Sequence, residues 1–198
     1  MKQLLVIILF GISNLVFSQA DLPYKVGEYT AYKVSFGAIN VGHAELEVKE
    51  IISANNKPSF HVIGKGRTVP FFDWFFKVRD VYETFIDTTT LLPVEFKRSV
   101  NEGGHLINQR YQFNHNDNRV ITQDSSFFIL INTQDMLSAF FLARTFKKEN
   151  IINGKSFYIP LFMDDENYNL EIKYLANEII DTKWGKIDCM VFQPKMQE

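Results

Sequence analysis

The 198-residue chain carries 21 Lys and Arg residues against 23 Asp and Glu residues, a formal net charge of −2 at pH 7. This balance gives no general attraction to nucleic acid, so no nucleic-acid partner is expected. Nineteen Phe residues and an aromatic share of 15% favour β-structure with large apolar contacts. The single cysteine, Cys189, excludes an internal disulfide.

The first 20 residues, MKQLLVIILFGISNLVFSQA, have the pattern of an export signal. Lys2 provides the positive start, and the apolar run over residues 4–10 is too short to cross a bilayer. Small residues at alternate positions, Ser18 and Ala20, suit a signal peptidase, and cleavage after either fits. An uncleaved N-terminal anchor is the alternative. We therefore predict an exported protein of the periplasm or outer cell envelope, or a secreted one.

Residues 21–198 are expected to form one β-rich domain, because apolar and polar residues alternate with turn signals at short intervals. The alternation is clearest in AELEVK (residues 44–49) and in YNLEIKY (residues 168–174). The chain stops directly after an apparent strand, whose backbone groups need a partner. A chain shortened at its C-terminus is therefore expected.

Residues 133–146, TQDMLSAFFLARTF, predict one principal helix. Thr133 can cap it, while Asp135 lies in its first turn and Arg144 in its last, where the helix dipole favours those charges. Most other residues are apolar, so the helix should be buried on more than one side. The sequence therefore predicts a mainly β fold, a single curved antiparallel sheet or barrel-like half-barrel with one principal helix packed against it.

Residues 68–80, TVPFFDWFFKVRD, place five aromatic rings in six consecutive positions, more apolar surface than a loop normally leaves in water. Three interpretations are open, and closure of one end of the core is favoured. The rings can instead line a cavity for an acyl chain, or touch a membrane whose anionic head groups meet Lys65, Arg67, Lys77 and Arg79. The expected ligand-binding residues are Phe71, Phe72, Trp74, Phe75, Phe76, Phe140 and Phe141.

Motifs for nucleotide or nicotinamide chemistry are absent from the sequence, so no nucleotide and no cofactor are expected. The four His residues lack the spacing of a helical metal pair, and no metal site is expected. Paired carboxylates can hydrolyse glycosides, but turn and ion-pair roles account better for the acidic residues here. These residues are Asp80, Glu83, Asp87, Asp164, Asp165 and Glu166.

Three blocks in this order, FFDWFFKVRDVYETFID, LLPVEFKRSVNEGG and QDMLSAFFLAR, resemble the exported bacterial family called domain of unknown function 3108. The resemblance runs from about residue 27 to the end of the chain. It implies an N-terminal signal, a largely β domain with further strands beyond residue 198, and no established reaction. The matching residues are Asp73, Arg79, Asp80, Tyr82, Asp87, Pro93, Gln134, Asp135, Leu137, Ser138 and Arg144.

Opposite charges at the margins of the aromatic segment and of the helix predict ion pairs that pin one to the other. The hypothesis pairs Arg79 or Asp80 with Asp135 or Arg144. The preferred function is non-catalytic: an envelope protein that binds an apolar or lipid-like ligand, or a lipidated partner, in the concave face. Peripheral contact with a membrane is a further possibility. A structural or interaction module with a filled core is the alternative, and a carbohydrate-active enzyme is the least favoured.

Overall fold

The structure is a computed structural model that describes residues 22–147 and 151–196. The expected signal segment, residues 1–20, lies outside the described residues. Within the described part, the chain forms eleven strands and two helices, so the prediction of a mainly β fold is confirmed. No helix in this part of the chain is long and apolar enough to span a membrane.

The first eight strands form one open antiparallel sheet in chain order, which we call the main sheet. They are β1 (Tyr29–Phe36), β2 (Ile39–Ala54), β3 (Lys57–Thr68), β4 (Arg79–Asp87), β5 (Pro93–Glu102), β6 (His105–Asn114), β7 (Arg119–Ile121) and β8 (Ser126–Phe128). Because neighbouring strands run in opposite directions, every second connection lies at the same end of the sheet.

Two helices and a second sheet complete the described chain. Helix α1 (Pro70–Asp73) lies between β3 and β4, and helix α2 (Met136–Ala143) follows β8. Strands β9 (Ser156–Met163), β10 (Glu166–Thr182) and β11 (Gly185–Met196) then form a three-stranded antiparallel sheet with β10 in the middle. This second sheet differs from the single sheet predicted, because α2 carries the chain away from the β8 edge before the later strands begin.

Two hairpin turns follow directly from their residue types. Asn55 and Asn56 connect β2 to β3 with φ values of 46° and 63°, and Asp164 and Asp165 connect β9 to β10 with φ values of 52° and 62°. Asn and Asp tolerate this left-handed backbone, which two-residue hairpin turns require. The turn interpretation of Asp164 and Asp165 is confirmed.

The inner face of the main sheet, the face that contacts α2 and β9, is closely filled. Its central row of register partners, each at most 2% exposed, is Val48, Val62, Thr84, Phe96 and Tyr111. Phe141 of α2 packs against Val48 and Val62, and Phe162 of β9 packs against Phe96 and Tyr111. Each such large apolar side chain stabilises the fold by about 1.5–3 kcal/mol. Along this row, protein side chains therefore occupy the space in which a ligand of the concave face is expected.

Helix α2 begins at Asp135, which caps it in place of the predicted Thr133. The Asp135 carboxylate accepts hydrogen bonds from the backbone N–H groups of Leu137 (2.8 Å) and Ser138 (2.9 Å). The Ser138 hydroxyl in turn accepts from the Asp135 N–H at 2.8 Å, which completes a capping box. The Thr133 hydroxyl donates instead to the Leu130 carbonyl. The helix is thus shorter at both ends than the 133–146 segment predicted.

The cap of α2 is also its polar joint to the main sheet. The Thr84 hydroxyl, in the middle of the inner face, donates to the second carboxylate oxygen of Asp135 at 2.6 Å, and both residues are fully buried. Burial raises the pKa of Asp135 to about 6, although hydrogen bonds from Thr84, Ser138 and Leu137 oppose that rise. The carboxylate therefore carries a desolvation penalty that its hydrogen bonds offset only in part.

The neighbouring residue, Gln134, bonds the segment before α2 to the second sheet. Its backbone N–H donates to the Pro160 carbonyl at 2.8 Å, and its carbonyl accepts from the Phe162 N–H at 3.0 Å. A salt bridge between Arg98 of the inner face and Asp164 of the β9–β10 turn adds a second connection. The two sheets and α2 thus meet at three consecutive buried polar residues, 133–135.

The raised pKa of Asp135 predicts an inverse pH dependence at this joint. Since the folded-state pKa lies above the unfolded one, the stability contributed by the protonated carboxyl is present below pH 4 and is lost as pH rises through 6. Asn also caps helices and does not titrate. From about pH 4 to about pH 7, the unfolding free energy of the wild type should fall by about 2–3 kcal/mol relative to Asp135→Asn.

Urea unfolding of both proteins across this pH range measures the difference directly. The other carboxylates titrate in both proteins, so their contributions cancel in the difference between the two unfolding free energies. A difference that stays flat with pH would show that Asp135 is not desolvated by folding.

Candidate ligand site

An apolar groove of about 630 Å³ opens between α2 and the second sheet, and we call it the α2 groove. Of its lining residues only Arg144 is charged, and the others are apolar side chains or the thiol of Cys189. They are Pro23, Met136, Ala139, Phe140, Ala143, Arg144, Leu170, Ile172, Cys189, Met190, Phe192 and Pro194.

One wall of the groove exists because α2 is apolar on both of its long sides. Phe141 is 1% exposed and turns into the core of the main sheet, whereas its neighbour Phe140 is 46% exposed and lines the groove. Ala139 and Ala143 lie on the groove side, where their small side chains leave the space open. Most residues of this helix are apolar, as the sequence already showed, and its two long sides therefore provide both core and groove.

The other wall comes from β10 and its edge partner β11. Ile172 is paired with Pro194, and Tyr174 with Phe192, before a register irregularity between Tyr174 and Ala176. Pro194 is tolerated because β11 pairs only with β10 among the described strands. The clean alternation around Ile172 predicted a buried face for β10, but periodicity does not say which element covers that face. The contribution of β11 was missed for the same reason.

Arg144 lies at one margin of the groove, and a neighbouring carboxylate compensates its charge. Its guanidinium forms a salt bridge to Glu28 at 2.7 Å and donates to the Pro23 carbonyl at 2.9 Å. It also lies 5.1 Å from the centre of the Phe141 ring, a cation–π contact. These contacts fasten the first described residues of the chain to the end of α2.

The aromatic segment 71–76 lies at a different place, on the connection from β3 to β4. Four of its five rings are exposed, with Trp74 at 85%, and Phe72 is half-buried. The favoured interpretation, closure of one end of the core, is therefore wrong. The seven residues predicted to bind one ligand are divided among three places: Phe140 lines the groove, Phe141 lies in the core, and the other five belong to this exposed segment.

Local hydrogen bonds hold the aromatic segment in place. The Asp73 carboxylate accepts from Arg79 and from the Thr68 hydroxyl, both at 2.5 Å. The hydrogen bond from Arg79, then that from Thr68, lowers the pKa of Asp73. The Phe76 ring lies over Gly103 of the β5–β6 turn, where a Cβ atom would come within 2.4 Å of the ring. Gly103, with its φ of +59°, is thus required both by the turn and by the ring above it.

The ion pairs predicted between the aromatic segment and α2 are replaced by others. Arg79 pairs with Asp73, and Asp80 accepts a hydrogen bond from the Asn101 N–H at 3.0 Å. Arg144 pairs with Glu28, and Asp135 caps α2. Because α1 follows β3 and α2 follows β8, their charged residues lie in different parts of the fold, and each pairs with a group that is near it in space.

The acidic residues considered for catalysis have structural partners. Asp80 binds the β5 backbone, Asp87 accepts from the backbone N–H groups of Thr89 and Thr90, and Asp164 pairs with Arg98. In residues 22–147 and 151–196, no group of three His, Cys, Asp or Glu side chains could hold a metal ion.

Comparison with known proteins gives one match. A family model described as Protein of unknown function (DUF3108) matches residues 31–198, nearly the whole chain. This match confirms the resemblance seen in the three sequence blocks. No curated protein and no solved structure matches the chain significantly.

The observed salt bridge predicts that the contributions of Arg79 and Asp73 to stability are coupled to each other. Because Arg79 touches Asp73 and not Asp135, Arg79→Ala and Asp73→Ala together should destabilise the protein less than the sum of the two single changes. The matched control, Arg79→Ala with Asp135→Asn, should be additive. Urea unfolding of the variants in both cycles measures the couplings. Additivity in the first cycle, or coupling in the second, would contradict the observed pairing.

Proposed function

We propose that this chain, which belongs to the DUF3108 family, is an exported cell-envelope protein that binds a lipid-like chain in the α2 groove. The observation that carries the proposal is a groove of about 630 Å³ whose lining is apolar apart from the compensated Arg144. A free lipid and the acyl chain of a lipidated partner present the same chemistry to this groove. The proposed activity is binding rather than catalysis.

The size and chemistry of the groove support an acyl occupant. Ligand sites typically have volumes of about 300–1,000 Å³ and are lined mainly by apolar side chains. Met136 of α2 and Met190 of β11 both line the groove, and flexible thioether side chains adapt to chains of different shape. A groove of this kind binds by apolar burial and does not require a particular head group.

The charge at the margin supports the same occupant. Since Glu28 already neutralises Arg144, the groove offers no unpaired cation to an anionic substrate such as a nucleotide. The polar head of a lipid would stay at the open side, in water. The structural partners of Asp80, Asp87 and Asp164 favour binding over glycoside hydrolysis.

The N-terminal sequence supports the cellular setting of the proposal. Residues 1–20 have the pattern of an export signal, and the cell envelope is where an exported protein meets acyl chains. An interaction module without a ligand would need this apolar groove to be covered by another protein.

The test measures binding of a dansyl-labelled long-chain fatty acid, kept below its micelle concentration, to the full chain and two groove variants. Ala143→Phe fills the groove and should abolish binding. Phe140→Ser removes one wall and should weaken binding about tenfold, the loss expected from about 1.4 kcal/mol of apolar contact. Native mass spectrometry of protein isolated from envelope should also show a lipid adduct that Ala143→Phe lacks.

Phe75→Ser is the matched control, because it makes the same change in an exposed Phe outside the groove. Its affinity for the probe should equal that of the wild type. The proposal fails if the wild type neither binds the probe nor carries a lipid, or if Phe75→Ser weakens binding as much as Phe140→Ser.

A further inference from the structure

One end of the main sheet presents an apolar surface that the α2 groove does not use. The β1–β2 turn, the β3–β4 connection with α1, and the β5–β6 turn all lie at this end, because alternate connections of a meander share an end. Each of the three carries exposed large apolar side chains, and we call the set the aromatic end. Its members are Phe36, Phe71, Trp74, Phe75, Phe76 and Leu106.

The rings are held outward by ordered structure. Asp73 fixes the turn of α1 through Thr68 and Arg79, and the backbone of Val69 donates to the Val41 carbonyl at 3.1 Å. A β-bridge between Val78 and Glu102 and the contact of Phe76 with Gly103 tie the segment to the β5–β6 turn. A group of exposed apolar side chains on a firmly held base is typical of a surface that meets an apolar partner.

A row of basic residues runs beside the aromatic end. Lys33, His43, Arg67 and Arg79 are successive register partners across β1 to β4, so they lie on one face of the sheet in its last rungs. Glu45 pairs with Arg67 and Asp73 with Arg79.

Lys33 of this row, and Lys65 and Lys77 beside it, are exposed and form no salt bridge within the described residues. Lys65 lies opposite Glu45, which pairs with Arg67, and Glu102 is exposed near Lys77. The charge at the base of the aromatic end is therefore suited to an anionic surface.

We propose that the aromatic end inserts into the interface of an anionic lipid bilayer, with the basic row against its head groups. Tips of turns reach into a planar surface more readily than into a groove on another protein. Trp and Phe rings reside at the boundary of head groups and acyl chains, and nearby Lys and Arg side chains add attraction to anionic lipids. The surface is separate from the groove, since none of the residues that line the groove belongs to the aromatic end.

The test uses the two Trp residues of the chain, which are both highly exposed but lie on different elements. Trp74 is 85% exposed on the aromatic end, and Trp184 is 80% exposed at the β10–β11 turn. Each single-Trp variant, Trp184→Phe and Trp74→Phe, is mixed as the full chain with vesicles of phosphatidylglycerol and phosphatidylcholine. Mass spectrometry confirms that both variants carry the same N-terminus.

In Trp184→Phe, the remaining Trp74 should shift its emission to shorter wavelength and be quenched by brominated lipid. In Trp74→Phe, the remaining Trp184 should do neither. Lys65→Gln with Lys77→Gln should weaken binding to these vesicles about 25-fold, about fivefold for each cation. The control pair Lys173→Gln with Lys195→Gln, exposed lysines of the second sheet, should leave it unchanged.

An unchanged Trp74 emission with anionic vesicles, in protein that remains folded by circular dichroism, overturns the proposal. Equal responses of Trp74 and Trp184 overturn it as well. If the emission of Trp74 shifts on addition of delipidated envelope protein but not on addition of vesicles, the surface binds a protein partner instead. The groove variant Ala143→Phe should bind vesicles as the wild type does. The test of membrane binding is therefore independent of the test of acyl binding in the groove.

Discussion

The buried carboxylate of Asp135 is the constraint on which the arrangement of this protein depends. It caps α2, accepts a hydrogen bond from Thr84 in the middle of the main sheet, and adjoins Gln134, whose backbone bonds to β9. Removing such a group leaves several buried donors without partners, each of which costs about 1–3 kcal/mol. One residue thus sets the position of the helix relative to both sheets.

The position of α2 decides where apolar surface is covered and where it is left open. Its Phe141 side packs into the inner face of the main sheet, against Val48 and Val62. Its Phe140 side faces β10 and β11 across a gap, because the alanines on that side are too small to close it. The α2 groove is therefore a consequence of helix placement combined with side-chain size.

The two apolar surfaces of the protein differ in their charge. The α2 groove has one cation, which Glu28 neutralises, and it suits an uncharged chain. The aromatic end is accompanied by lysines that form no salt bridge within the described residues, and it suits a charged interface.

The features that depend on neighbouring residues could be predicted from the sequence alone. Alternation predicted the strands, the acidic residues Asp164 and Asp165 predicted a turn, and the apolar run before Arg144 predicted the principal helix, because each depends on neighbours in the chain. The partners of Asp135 and Arg144, the division between Phe140 and Phe141, and the outward direction of Trp74 depend on elements distant in sequence. Periodicity shows that a face is apolar, but only packing determines whether protein, ligand or solvent lies against it.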